Sequence, residues 1–133
     1  MNAFEYTDKI WDIFTNDPEL LELLEVDTRN EESYAIKIRQ EDFMPEEFNA
    51  SDLDFIAFYF ADAEITVNDF LNNGILRFDI YSNLRDRVVP IRERIVTLMH
   101  ENFDARVRAE GQRSSGITNV YKYRLEFRPL IFT

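Results

Sequence analysis

The sequence predicts an α+β fold: a mainly antiparallel sheet with one long helix across a face and short helices at the N-terminus. Three observations carry this expectation. Residues 75–81 alternate Leu76, Phe78 and Ile80 against Arg77, Asp79 and Tyr81, the period of a half-buried strand. The next stretch places Ile91, Ile95, Leu98, Met99 and Phe103 on one stripe of a 3.6-residue helix. Residues 120–128 alternate again, Tyr121, Tyr123, Leu125 and Phe127 against Lys122, Arg124, Glu126 and Arg128. A period of 2 followed by 3.6 and then 2 describes a sheet with a helix laid on it.

In chain order, Ala3 to Thr15 reads as a first helix, with Phe4, Ile10, Trp11 and Phe14 sharing a stripe. Asp17-Pro18-Glu19 starts a second: Asp17 suits the cap, Pro18 the first helical position and Glu19 the first turn. Its apolar residues are Leu20, Leu21, Leu23 and Leu24. Thr28 to Ser33 reads as a charged turn. Tyr34, Ile36 and Ile38 alternate with Ala35, Lys37 and Arg39, which predicts a strand over 34–39.

Residues 40–51, QEDFMPEEFNAS, form an irregular acidic loop or arm containing Phe43, Met44 and Phe48. Two readings of those apolar side chains stand: an arm that binds a partner, or a lid folded back onto the core. Leu53 to Phe60 is apolar on both alternating faces, as in a strand covered on two sides or meeting another subunit. Ile65 to Phe70 is read as extending that ribbon, and Asn73-Gly74 as a tight reversal into the 75–81 strand. Ser82 or Asn83 is placed to cap the long helix, which Pro90 restricts to regular geometry from about Val89. Asp104 to Glu110 reads as a short strand exposing Arg106 and Arg108. Gly111 to Gly116 reads as a flexible loop with Arg113 near its tip. Pro129 closes the last strand before the apolar Leu130-Ile131-Phe132.

The 133 residues form a single domain, 1–133, with no internal repeat, low-complexity tract or linker. Hydrophobic content of 45% with 12 Phe and 6 Tyr is enough apolar surface for a packed core, which excludes disorder for most of the chain. No apolar run has the length of a membrane span, and MNAFEYTDK lacks a signal-peptide layout, so the expectation is a soluble protein made in the cytoplasm. The absence of cysteine excludes disulfides, thiol nucleophiles and cysteine-based metal sites.

No catalytic, cofactor or metal motif is present. His100 stands nine residues beyond Ile91, about 180° around the helix from the apolar stripe, and is expected to face solvent. The acid pairs Glu31-Glu32, Glu41-Asp42 and Glu46-Glu47 lack the ligand spacing of a calcium loop and read as solvated surface. There is no P-loop, GxGxxG or GxSxG, and nothing selects a carboxylate dyad among 26 acids. Tyr121 and Tyr123 suggest an RNA platform, but they share a face with Leu125 and Phe127, so burial is the better reading. A net charge of −11 also opposes binding a polyanion.

That charge is unevenly placed. Residues 1–74 hold 19 acidic and 4 basic residues, a net of −15, whereas residues 75–133 hold 7 acidic and 11 basic residues, a net of +4. Such polarity suits either a subunit that attracts its own copies head to tail or a solvated acidic surface.

The opening helices with DIFTNDPELLELL, the strand GILRFDIYSN, the helix VVPIRERIVTLMHENF and the closing SSGITNVYKYRLEF occur in the order of a known family. On these pieces the chain resembles the head–tail joining and tail-terminator (neck) proteins of long-tailed bacteriophages. The resemblance implies a structural virion protein, with no enzymatic activity and no cofactor, located at the head–tail junction after synthesis in the host cytoplasm. It implies a homo-oligomeric, typically hexameric, ring that caps the tail tube protein and meets the head connector or head-completion protein. DNA would pass through without specific binding, and no membrane is involved. In that setting Phe43, Met44, Phe48, Arg85, Arg87 and Arg113 are the expected interface residues. The rival class is an acidic DNA-mimic inhibitor of a nuclease or restriction enzyme. The −15 half permits it, but its acids follow no single helix or strand register.

Overall fold

The computed structural model describes residues 3–61 and 74–128. It is α+β: helices α1 (Ala3–Thr15), α2 (Pro18–Leu23) and α3 (Glu31–Lys37) precede a short strand β1 (Ile38–Arg39). Strands β2 (Phe55–Ala61) and β3 (Ile75–Ser82) follow, then helix α4 (Arg85–Phe103) and strands β4 (Val107–Arg113) and β5 (Tyr121–Phe127). The five strands lie in the order β1-β2-β3-β5-β4, and only the β1–β2 pairing is parallel. The expected extension of the ribbon over Ile65–Phe70, the reversal at Asn73-Gly74 and the apolar end after Pro129 lie outside the described residues.

Register fixes which side chains share a face, because directly opposed residues in neighbouring strands point the same way. Ile56, Ile80 and Tyr123 align across β2, β3 and β5, as do Phe58, Phe78 and Leu125. This face is covered by α1, α2 and α4, and it holds the main core. From α1 come Tyr6, Ile10 and Phe14; from α4 come Val88, Ile91, Ile95, Leu98 and Met99. Phe14 stacks on Phe78 at 5.6 Å between ring centres, and Phe78 meets Phe58 at 5.5 Å. The long helix buries the stripe its periodicity specified, with Phe103 half-buried at its end and His100 exposed.

The opposite face carries Phe55, Ala57 and Tyr59 of β2 beside Tyr81, Asp79 and Arg77 of β3, and Lys122, Arg124 and Glu126 of β5. A second, smaller core forms there around Phe43, Phe55, Ala57 and Tyr81.

Several local expectations are corrected. Phe4 is 82% exposed; the buried stripe of α1 is Tyr6, Ile10 and Phe14, at helical i, i+4 spacing. The predicted strand over 34–39 is mostly helix. Asn30 caps α3 by accepting a bond from the Glu32 N–H, acids occupy the first turn and Lys37 the last. Those placements suit the helix dipole and outweigh a short alternation. Helix α4 begins at Arg85, four residues before the expected start, and carries Pro90 inside it. The proline removes one backbone donor near the helix N-terminus, where few intrahelical bonds have yet formed. Neither Ser82 nor Asn83 is the cap. Leu84 occupies that position without a side-chain bond, and the Ser82 hydroxyl accepts from the Leu84 N–H instead. Residues 111–113, expected in a loop, continue β4 to Arg113. Tyr121 is exposed rather than buried, and Tyr123 is half-buried.

Candidate interaction surface

Charge on this molecule is either locked into internal pairs or left free, and the distinction locates the surface. The most buried acid of the sheet is Asp79, with no exposed side-chain area. Arg124 donates to both its oxygens, from Nε at 2.8 Å and from Nη2 at 3.2 Å, and the Tyr59 hydroxyl donates at 2.8 Å. Lys122 Nζ lies 3.8 Å away. Alongside, Arg77 donates to Glu126 at 2.9 Å. Burial first, and the neighbouring Asp79 charge second, push the Tyr59 hydroxyl above its ordinary range. Both Asp79 oxygens are thereby supplied with donors from within the sheet.

A second buried cluster joins helices to β2. Asp54, 1% exposed, forms an ion pair with Arg87, whose Nε is 2.7 Å from Oδ2 but is not aligned as a hydrogen bond. Arg87 also donates to the Leu23 carbonyl at 3.2 Å and approaches Glu25 at 3.4 Å. Lys37 donates to the Leu53 carbonyl at 2.8 Å, and its burial lowers its pKa. Arg87, expected to face an acidic neighbour, is therefore occupied within its own chain.

Arg85 differs. It is exposed and makes no ion pair among the described residues, and the same is true of Arg106, Arg108 and Arg128. Arg85 borders a groove on the helix-covered face, between α4 and the start of β5. Val88, Val89 and Arg92 line one wall and Tyr121 and Tyr123 the other, with Gln112 and Lys122 completing a cavity of about 210 Å³. The floor is built from strand and helix positions whose neighbours are in the core, so it is fixed. The Arg92 guanidinium spans the Glu110 carboxylate in two bonds of 3.0 and 2.6 Å, and the Tyr123 hydroxyl donates to the same group at 2.6 Å. The Arg92 bonds, joined by that from Tyr123, hold the Glu110 carboxyl below its usual range. Around this rigid frame, Leu84 is 55%, Val89 54% and Tyr121 37% exposed. The groove is apolar at its lips and carries one free positive charge.

The other prominent surface is the 40–51 segment, on the opposite face. Phe43 is buried against Phe55 and Tyr81, with ring centres 4.9 and 5.1 Å away, and Phe48 packs half-buried beside it. Those two residues act as the lid. Met44 does not: it is 50% exposed, and Glu41, Asp42, Glu46 and Glu47 around it are all exposed. A short 3₁₀ turn, Pro45–Glu47, fixes its backbone through the Glu47 N–H bond to the Met44 carbonyl at 2.9 Å. Gly116 supports the turn from beneath. It has φ +75°, and a Cβ there would sit 3.2 Å from Pro45 Cγ, so glycine serves both backbone and packing. Arg113 is exposed at the end of β4 and donates only to the carbonyl of its neighbour Gln112, at 3.2 Å.

Of the six expected interface residues, Met44, Arg85 and Arg113 are therefore presented to solvent, whereas Phe43, Phe48 and Arg87 are engaged internally. Sequence reasoning missed the groove because its walls come from residues 29 to 35 positions apart. The exposed Leu84 and Val89, off the buried stripe of α4, were the available signal.

Among the described residues no helix is long and apolar enough to cross a membrane, and no three acidic or histidine side chains converge as a metal-binding group. Compared with protein-family models, curated proteins and solved structures, the chain has no match in any of the three.

Proposed function

We propose that this chain is a structural subunit of the neck of a long-tailed phage, forming a ring at the head-proximal end of the tail. The ring terminates the tail tube and joins it to the head connector. The observation that carries the reading is the segregation of surface charge. Exposed arginines without an ion pair among the described residues stand at the start of α4 (Arg85) and around β4 (Arg106, Arg108 and Arg113), while exposed acids crowd α1, α2, α3 and the Met44 loop. Asp86, Glu93 and Glu101 on α4 and Arg29 before α3 are exceptions to this division. A closed ring needs two different, complementary patches on each subunit, and opposite charge on opposite parts of one molecule supplies them.

The family pattern in the sequence supports the same assignment, and the α+β architecture with a long helix across the sheet agrees with what that pattern implies. In this reading the polar clusters around Asp79 and Asp54 are internal braces, and no step is catalytic. Acidic side chains facing the lumen would repel the DNA backbone and let it pass.

The test is assembly. Purified protein is examined by native mass spectrometry and negative-stain microscopy, alone and with tail tubes of the phage that encodes it. Rings, or monomers that form rings at tube ends, are the expected result. A chain that stays monomeric, ignores tubes and binds a nuclease tightly overturns the reading in favour of the DNA-mimic inhibitor.

A further inference from the structure

The two solvent-facing patches described above lie on opposite faces of the same sheet. The groove of Val88, Val89, Arg92 and Tyr121 is on the face covered by helices. The Met44 loop is fixed by Phe43 to the other face, through Phe55 and Tyr81. We propose that the groove receives the Met44 loop of a second copy of this chain, so that each subunit offers its loop to one neighbour and its groove to the other. The inference rests on the ring reading above and names the contact that would close the ring.

Four properties make the fit. In size, about 210 Å³ accepts one unbranched side chain, since an engineered cavity of roughly 150 Å³ already holds benzene. In chemistry, methionine is flexible and polarizable, and its sulfur is favourable beside an aromatic ring such as Tyr121. In charge, Glu46 and Glu47 flank the incoming methionine, and the free Arg85 stands at the groove lip. In entropy, both partners are already set: the loop by its 3₁₀ turn and the Phe43 anchor, the groove by the Arg92–Glu110–Tyr123 bonds. Little ordering remains to oppose binding. Because donor and receptor patches differ and lie on opposite faces, the contact is heterologous. It propagates in one direction, as a ring requires, and cannot satisfy itself in a two-fold dimer.

The experiment uses two variants at exposed positions, Met44→Glu and Val89→Glu, each checked for an unchanged melting curve. Sedimentation velocity should show each variant alone as a monomer, with association weakened at least tenfold. Mixing the two leaves one intact loop and one intact groove per pair, so the expected product is a 1:1 heterodimer that grows no further. A second measurement exploits the absence of cysteine. The double variant Met44→Cys/Val89→Cys, treated with a short thiol crosslinker, should give a ladder ending at the ring, whereas either single variant should not pass the dimer. Rings that form normally in the Met44→Glu variant, or a double-cysteine chain without a ladder, overturn the docking while leaving the ring reading in place. A wild-type chain that remains monomeric, with or without tail tubes, overturns both.

Discussion

Asp17 and Arg94, 77 residues apart, meet in a two-pronged bond at the start of α2. Arg94 Nε and Nη2 donate to the carboxylate at 2.8 and 2.6 Å, while the same carboxylate caps the helix by accepting from the Leu20 N–H at 2.9 Å. One aspartate thus starts a helix and fastens it to the long helix beneath. Replacing it by alanine removes the cap, worth about 1 kcal/mol, and a charge-assisted bond worth about 1.5–3 kcal/mol. Glu19, 3.0 Å from Arg94, retains part of the charge pairing. The expected loss for Asp17→Ala is therefore about 2 kcal/mol, read from the urea midpoint.

The same pair sets an acid dependence. The Arg94 hydrogen bonds first, helped by the Leu20 N–H, outweigh burial and hold the Asp17 carboxyl below its ordinary value of 3.8. The folded state therefore binds this proton less readily than the unfolded chain. The resulting stabilisation is fully present above about pH 5 and is lost as pH falls through 3.8 toward the lowered folded value. Glu110, held down by Arg92, shifts stability in the same sense from its own ordinary value of 4.5. Urea midpoints should fall between pH 6 and pH 3.5, and the fall should be shallower in Arg94→Ala. An equal slope in that variant would assign the acid sensitivity elsewhere.

Asp79 tests whether the charged face of the sheet is bracing. Asp79→Ala leaves Arg124 and Lys122 largely buried without their anion, at an expected cost of about 3–5 kcal/mol. Removing the closer pair together, as Asp79→Leu with Arg124→Leu, should be milder than the single change, because only Lys122, the more distant partner at 3.8 Å, is then left without its anion. Chemical denaturation of the single and double variants decides it. A double variant as damaged as the single one would mean that packing, not charge pairing, governs the site.

The acidic loop should divide into an anchor and a tip. Phe43→Ala empties a buried aromatic site and should cost about 3 kcal/mol, near the low end for core aromatics because only a small cluster surrounds it. Met44→Ala should leave the melting temperature within about 2 °C, since surface truncations rarely exceed about 0.5 kcal/mol. Thermal melts of both variants make the comparison directly.

Much of this fold was legible in the sequence where one period ran long enough. The stripe of α4, the alternation of β3 and β5 and the Asp17-Pro18 start of α2 all appear where expected. The failures share a cause. Between Tyr34 and Ile38 the apolar spacing fits both periods, since Tyr34, Lys37 and Ile38 are also i, i+3 and i+4 on a helix, and the cap at Asn30 decided between them. Gly111 looked like a loop residue but lies within a paired strand, opposite Arg124 of β5. The division of Phe43 from Met44, inward and outward at adjacent positions, depends on Tyr81 and Phe55 arriving from distant strands. No local pattern encodes that.

The sheet's margins decide how such a molecule is able to multiply. Strand β1 at one margin is two residues long, and β4 at the other is broken by a register shift between Val107 and Ala109 and bears Arg108 and Arg113. Guanidinium groups crowding a kinked border discourage another strand from zipping alongside. A chain this rich in phenylalanine can then be made in many copies without fusing into fibres, because the described strand borders offer no clean edge to a neighbour.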